Sequence, residues 1–347
     1  YILHNALKLL NHVGEFISAA DGEAVLAIAN TEEIIYSDVD KIGEYQHKFY
    51  YIQKHIDKIL ELPLVNKKAI KERNFRVVID CVNSTGGISV PELLVALGVT
   101  DVIELFTNPN GRFPHNPEPL PEHLGTIAHE VKHQNADVGL VVDPDVDRLA
   151  IVCENGDMFG EEYSLVSIAD YVLKTQKGNV VSNLSSTQAL RDVAVKHGVE
   201  HHQSAVGEVH VVQKMKAVNA VIGGEGNGGI IYPELHYGRD SLLGVALFLT
   251  HLAGMNQTVA ELRASYPQYF MSKNKIELTP EIDVDAILKA MTEKYQHEDI
   301  STIDGVKIDF ATEWVHLRKS NTEPIIRIYT EAPNQAAADA LALRIID

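Results

Sequence analysis

The chain has 347 residues, with 30 basic against 48 acidic side chains for a formal charge of −18, and only two cysteines. Such a field repels nucleic-acid backbones and anionic membranes, so neither is expected as a partner; a phosphorylated ligand would need a metal ion, helix N-termini or a few well-placed arginines to overcome it. The length suits roughly two to four domains. Cys81 and Cys153 are too few for a disulfide framework and fit a reducing cytoplasm, and no apolar run reaches membrane-spanning length.

The sequence opens with "YILHNALKLLNHVGEFI", in the middle of what reads as ordered structure and with no start methionine or signal peptide, so it is expected to be a fragment. Ile42, Tyr45, Phe49, Ile52, Ile56 and Ile59, spaced three and four apart, predict one long amphipathic connector helix that stops before Pro63. Apolar runs then predict strands at Val77 to Asp80, Val102 to Phe106, Val138 to Asp143, Leu149 to Cys153, Val180 to Asn183 and Val221 to Gly223. Between them "PEHLGTIAHEVKHQ", "EYSLVSIADYVLK" and "TQALRDVAVKHG" carry helical periodicity, and Gly198 is a C-cap for the last. The alternation is that of an α/β chain. From about residue 275 the strands "KIELTP", "GVKIDF", "WVHLRKS" and "IIRIYTEA", with helices near 284 to 295 and 335 to 346, predict a separate α+β domain in which Trp314 is core. No internal repeat is visible.

Three clusters stand out from this background. In "VGLVVDPDVDRLAIV", Asp143, Asp145 and Asp147 alternate inside an apolar stretch, so all three carboxylates can converge at a strand end. Unpaired they would repel one another, and a divalent cation with hard oxygen ligands resolves that. An EF-hand loop is excluded, because Arg148 stands where its glycine is required and strands flank the segment. A phosphatase in which Asp143 of a D-x-D strand end attacks the phosphoryl group remains an alternative. In "IGGEGNGGIIYPELHYGRD", five glycines surround Glu225 and Asn227, so backbone can approach a ligand closely while a carboxylate and an amide meet its hydroxyls, as sugars require. In "HLRKSNTEPIIRIYTEA", Arg318, Ser320, Asn321 and Thr322 crowd between two strands, equipped either to hold a phosphate or simply to turn the chain. Arg327, beyond that turn, reads as a surface ion-pair residue. The pair His201 and His202 lacks the second pair that a zinc site needs.

Taken together and in that order, "DPDVDR", "GEGNGG" and "RKSNTEP" resemble the metal-, sugar- and phosphate-binding loops of the α-D-phosphohexomutase superfamily, which includes phosphoglucosamine mutases and phosphomannomutase/phosphoglucomutase enzymes. "CVNSTGG" and "NGRFPHNPEPLPEHL" look like landmarks of that family's second domain. The resemblance implies related three-layer α/β domains with mixed sheets and a C-terminal α+β domain that closes over the substrate. It assigns residues 1–70 to the remainder of a truncated first domain with the connector helix, 71–175 to domain II, 176–274 to domain III and 275–347 to domain IV.

The implied activity is an isomerase's intramolecular phosphoryl transfer between the 1- and 6-positions of a hexose or hexosamine phosphate, through a phosphoserine and a hexose 1,6-bisphosphate. By motif, Asp143, Asp145 and Asp147 would bind Mg²⁺, Arg148 would lie beside the reacting phosphate, and Glu225 and Asn227 would hold sugar hydroxyls. Arg318, Ser320, Asn321 and Thr322 would grip the other phosphate. The family's serine loop has no counterpart here: Ser18, Ser84 and Ser89 stand in other contexts, and His4 and Asn5 read as its edge or as the segment just after it. The chain by itself is therefore expected to be inactive. Many relatives carry histidine where Gly229 stands, and others place lysine and arginine where Ser185 and Gln188 stand, so the general acid/base is unassigned. Glu208 lies where relatives often contact substrate. A phosphatase using Asp143 and a non-catalytic phosphosugar binder are the competing functions.

Overall fold

The structure is a computed structural model that describes residues 7–31, 34–279, 282–320 and 324–346. Helix α1 (Ala19–Ala29) is closed by a capping box between Ser18 and Asp21 and buries nothing. Helix α2 spans Tyr51–Glu61 only. The predicted helix is therefore too long: Ile42, Tyr45 and Phe49 are 69 to 89% exposed, whereas Ile56 and Ile59 are fully buried. Helical spacing stabilises a helix only where its apolar stripe meets a partner, and that partner begins at Ile52, where α2 reaches the helices described below.

Helix α3 (Lys67–Arg73) leads into the first sheet, built from β1 (Arg76–Asp80), α4 (Gly86–Leu97), β2 (Asp101–Leu105), α5 (Gly125–His133), β3 (Val138–Val142) and β4 (Leu149–Cys153). Its strand order is β2-β1-β3-β4, parallel except for the antiparallel β3–β4 pair. After α6 (Glu161–Leu173) comes a second sheet: β5 (Val180–Asn183), α7 (Ala189–His197), β6 (His201–Ser204), α8 (Glu208–Val218), β7 (Ile222–Glu225) and β8 (Gly229–Ile231), followed by α9 (Ser241–Ala253) and α10 (Val259–Ala264). Its order is β6-β5-β7-β8, again parallel with one antiparallel edge pair, β7–β8. The two units thus repeat one topology that the sequence does not display. In both, a loop joins the third strand to the antiparallel edge strand: residues 143–148 in the first, 226–228 in the second.

Strands β1, β3, β4 and β5 read as near-continuous apolar runs because helices cover both faces of these sheets. Polar β6, "HHQS", sits at a sheet edge and carried no strand signal. Helices α6 and α9 lie between the units and are buried along almost their whole length. One hydrophobic core runs from Ile56 on α2 through β1, β3 and α6 to Leu252 on α9. Each fully buried Leu, Val or Phe in it contributes about 1.5–3 kcal/mol.

The C-terminal unit has its own core. It comprises β9 (Phe270–Glu277), α11 (Val284–Lys294), β10 (Asp299–Ser301), β11 (Val306–Asp309), β12 (Trp314–Lys319), β13 (Ile325–Ala332) and α12 (Gln335–Ile346), with the antiparallel order β10-β11-β12-β13-β9. Trp314 is buried there and donates its indole N–H to Glu331 Oε1 at 2.8 Å. This is the mixed α/β architecture with a C-terminal α+β unit that the sequence predicts.

Candidate active site

The 143–148 loop is organised by Asp143. Its Oδ1 accepts the backbone N–H groups of Asp147 and Arg148 at 2.9 and 3.0 Å, curling the chain so that Asp145 and Asp147 turn back beside it. One carboxylate oxygen from each aspartate lies within 4.8 Å of the others. Burial, then the neighbouring Asp147, push the Asp143 carboxyl up to about 6. Val146, a β-branched residue, is held at φ +63°, a strained conformation of the kind stored at functional sites. Ser84 and Thr85 of "CVNSTGG" brace the loop from outside, both hydroxyls donating to the Pro144 carbonyl at 2.7 Å.

Cations already face this loop. Lys8 pairs with Asp145 and lies 3.6 Å from Asp147, while Arg148 Nε is 3.9 Å from Asp143 and 3.8 Å from Asp147. Asp147 Oδ1 and Arg148 Nε are buried without a hydrogen-bond partner among the described residues. A hard, oxygen-seeking divalent ion fits an acidic set with one buried acceptor still unsatisfied.

The equivalent loop of the second sheet lies next to it. Glu225 Oε1 accepts from Asn183 Nδ2 at 2.8 Å and from the Gly207 N–H at 2.9 Å, and its Oε2 accepts from Arg239 at 2.7 Å. Asn227 Oδ1 accepts the Gly229 N–H at 3.2 Å. The glycines are required by space. At Gly228, with φ +85°, a Cβ would press on the Leu149 backbone of β4, whose N–H donates to the Gly228 carbonyl at 2.9 Å. At Gly229 a Cβ would meet the Arg239 side chain.

Arg239 is the residue the sequence reading missed. Its guanidinium reaches Asp147 at 2.6 Å, Glu225 at 2.7 Å and Glu208 at 3.0 Å, tying the metal-type loop to the sugar-type loop. Nothing in "HYGRD" announces this, because the three acids come from different elements. Glu208 is accordingly bound to Arg239.

The third cluster faces the other two across a cleft of about 390 Å³, lined by Arg148 from the first loop, Glu225 and Asn227 from the second, and Arg318 and Arg327 from the C-terminal sheet. Arg318 and Arg327 are direct cross-strand partners on β12 and β13. Arg327 is therefore partly buried and lines the cleft, where the sequence reading placed it on the surface. Like charges directly opposite are destabilising unless an anion joins them, and Arg318 Nε is buried with no partner among the described residues. Ser320 is buried at the end of β12, its N–H donating to Ile325 O at 2.9 Å. Asn321 and Thr322 lie outside the described residues, as do His4 and Asn5. Glu162 and Lys273, also unforeseen, complete the wall. Desolvation drives the Glu162 carboxyl well above its usual range, against the pull of Lys273. The basic cluster is local: five cationic side chains, Arg148, Arg239, Lys273, Arg318 and Arg327, line this cleft of a strongly acidic chain.

Comparison with known proteins identifies the family. Models of the phosphoglucomutase/phosphomannomutase family match residues 53–156 (alpha/beta/alpha domain II), 161–269 (alpha/beta/alpha domain III) and 273–347 (C-terminal domain). The chain belongs to this family, and so to the α-D-phosphohexomutase superfamily. It is 33% identical over 339 residues to a phosphoglucomutase/phosphomannomutase of Thermococcus kodakarensis, covering 96% of this chain and 73% of that protein. Over 283 residues it is 34% identical to a phosphoglucosamine/phosphogalactosamine mutase of Sulfurisphaera tokodaii, covering 80% of this chain and 62% of that one. Among solved structures, a phosphoglucomutase/phosphomannomutase family protein of Burkholderia thailandensis superposes with a TM-score of 0.73 at 25% identity, over 84% of this chain and 62% of the other. An Aspergillus fumigatus N-acetylphosphoglucosamine mutase, crystallised with GlcNAc-6P and magnesium, shares the fold at a TM-score of 0.57 and 16% identity, over 85% of this chain and 63% of its own.

Proposed function

We propose that this chain carries the metal, sugar and phosphate loops of a phosphohexomutase that moves a phosphoryl group between the 1- and 6-positions of a hexose or hexosamine phosphate by way of a 1,6-bisphosphate. The observation that supports this reading is that one cleft gathers Arg148, Glu225 with Asn227, and Arg318 with Arg327 from three separate sheets. Mg²⁺ on Asp143, Asp145 and Asp147 would neutralise charge on the transferring phosphoryl group. Arg148 would stabilise the same group from the loop's flank. Glu225 and Asn227 would orient the sugar hydroxyls. Arg318, Arg327 and Ser320, with Asn321 and Thr322, would clamp the phosphate that is not reacting, an arrangement that suits a substrate bound in two orientations and supplies positioning. The phosphoryl-carrying serine of this scheme belongs to the family's first domain, and the reaction is cytoplasmic in this reading. We also place the domain divisions at 71–175, 176–274 and 275–347.

A phosphatase using Asp143 fits less well, because that carboxylate is buried and its Oδ1 is already committed to two backbone N–H groups. Phosphorus NMR of the full-length gene product with glucosamine 6-phosphate or mannose 6-phosphate separates the readings. Appearance of the 1-phosphate without free phosphate supports the mutase, and an Arg318→Ala change should then slow turnover by about 100-fold. Accumulating inorganic phosphate would favour the phosphatase, and binding with neither product a phosphosugar binder.

A further inference from the structure

A second group of ligating side chains lies behind the cleft. His55 on α2, His236 in the turn after β8, and Asp240, the N-cap of α9, bring one ligand atom each within 4.8 Å of the others. Both imidazole Nε2 atoms point at the same carboxylate oxygen, Asp240 Oδ2, at 2.7 Å from His55 and 3.0 Å from His236. The imidazole rings are 5.7 Å apart, centroid to centroid. The fold alone creates this, since His55 and Asp240 are 185 positions apart.

The geometry points to a site for a divalent transition metal, Zn²⁺ being the fitting ion, held by His55, His236 and Asp240. Two imidazoles and one carboxylate form a borderline nitrogen/oxygen set that suits Zn²⁺, Co²⁺ or Ni²⁺ and that Mg²⁺ does not favour. At 2.7 and 3.0 Å the two imidazoles hydrogen-bond the carboxylate directly, and an ion shared at about 2.0–2.2 Å would replace those bonds by spreading the three atoms to about 3.4 Å apart, within the span they already occupy. The carboxylate is held in place: Asp240 Oδ1 accepts the Leu243 N–H at 3.0 Å, which leaves Oδ2 aimed at the imidazoles, as an outer hydrogen bond orients a metal ligand. The histidine side chains are 32 and 41% exposed while Asp240 is buried, so an ion can enter from solvent and water can complete its coordination. An ion here would fasten α2 to the start of α9, one residue from Arg239, and so support the wall that holds Glu225 and Asp147.

The test is a Co²⁺ titration of chelator-treated full-length protein in excess Mg²⁺, which keeps the Asp143 cluster occupied, followed by displacement with Zn²⁺. One Co²⁺ should bind with the visible absorption of a low-coordinate nitrogen/oxygen site, unchanged in Asp145→Asn. His55→Gln and His236→Gln should each weaken it at least about 10-fold, the scale of losing even a group that merely orients a ligand. Zn²⁺ should raise the melting temperature of the wild type and leave both variants unmoved. If either variant folds poorly, imidazole NMR of the wild type decides, with two of the sixteen histidines responding to Zn²⁺. Absence of the absorption band, equal binding in the histidine variants, or no imidazole response overturns the proposal.

Discussion

Arg239 neutralises three acids with side chains only 6 to 12% exposed, so its removal would strip Glu208 and Glu225 of this partner and leave Asp147 only the more distant Lys8 and Arg148. Arg239→Met should cost about 3–5 kcal/mol, the penalty for stranding buried charge, read as a lower denaturant midpoint. Arg239→Lys should recover part of it, since one ammonium cannot fork to three carboxylates. A midpoint unchanged in the methionine variant would mean the contacts are energetically idle. At Val146 the strain runs the other way: Val146→Gly should release about 1 kcal/mol while weakening Mg²⁺ binding, because the φ of +63° keeps Asp145 and Asp147 turned towards Asp143. Calorimetric titration with Mg²⁺ checks this; unchanged affinity would remove the loop's strain from the account. The alternating aspartates were legible in the sequence because carboxylates inside an apolar strand demand compensation. Arg239 was not, because its partners converge only in three dimensions. Arg327 sits between these cases: its place opposite Arg318 follows once the hairpin register is known, and register is a tertiary fact.

At the scale of elements, the loops 143–148 and 226–228 occupy the same place in two sheets of one topology, and Gly228 lets the second reach the backbone of β4 at Leu149. Gly228→Ala should cost at least about 2 kcal/mol, combining left-handed backbone with a Cβ that would lie 2.9 Å from Leu149 C. Chemical denaturation measures the loss, and a neutral result would mean β4 gives way. Strands buried on both faces announced themselves by composition, while β6, polar and at an edge, did not. Helix α2 was overextended in the sequence reading because periodicity records amphipathic potential, and only Ile52 onward has anything to pack against.

At the scale of the molecule, the C-terminal unit is fastened to the second α/β unit by buried polar contacts. His316 Nε2 donates to Asp304 O at 2.6 Å, so its Nδ1 is free to accept the Ser185 hydroxyl at 2.8 Å, and Glu331 Oε1 accepts the Gln188 N–H at 2.9 Å. Burial pushes His316 down to about 4, and likewise His251 between the two α/β units. Each is neutral when folded, while the unfolded chain takes up the proton near pH 6.5. Stability is therefore fully present above pH 6.5 and falls as pH drops towards about 4, by up to about 3 kcal/mol per histidine. Melting temperatures between pH 7.5 and 4.5 should show the decline, and His316→Gln should flatten it; a flat wild-type curve would contradict the neutral-histidine assignment.

The sequence by itself determined the α/β class, the separate C-terminal unit, the family resemblance and the three loops, because each rests on local chemistry: apolar runs, periodicity, and polar residues with no local partner. Tertiary structure decided what those loops do together. It set the repeated sheet topology, the Arg239 link, the facing Arg318 and Arg327, and the convergence of His55, His236 and Asp240. Long-range electrostatics and strand register depend on how distant segments are brought together, and no local pattern in the chain encodes that distance.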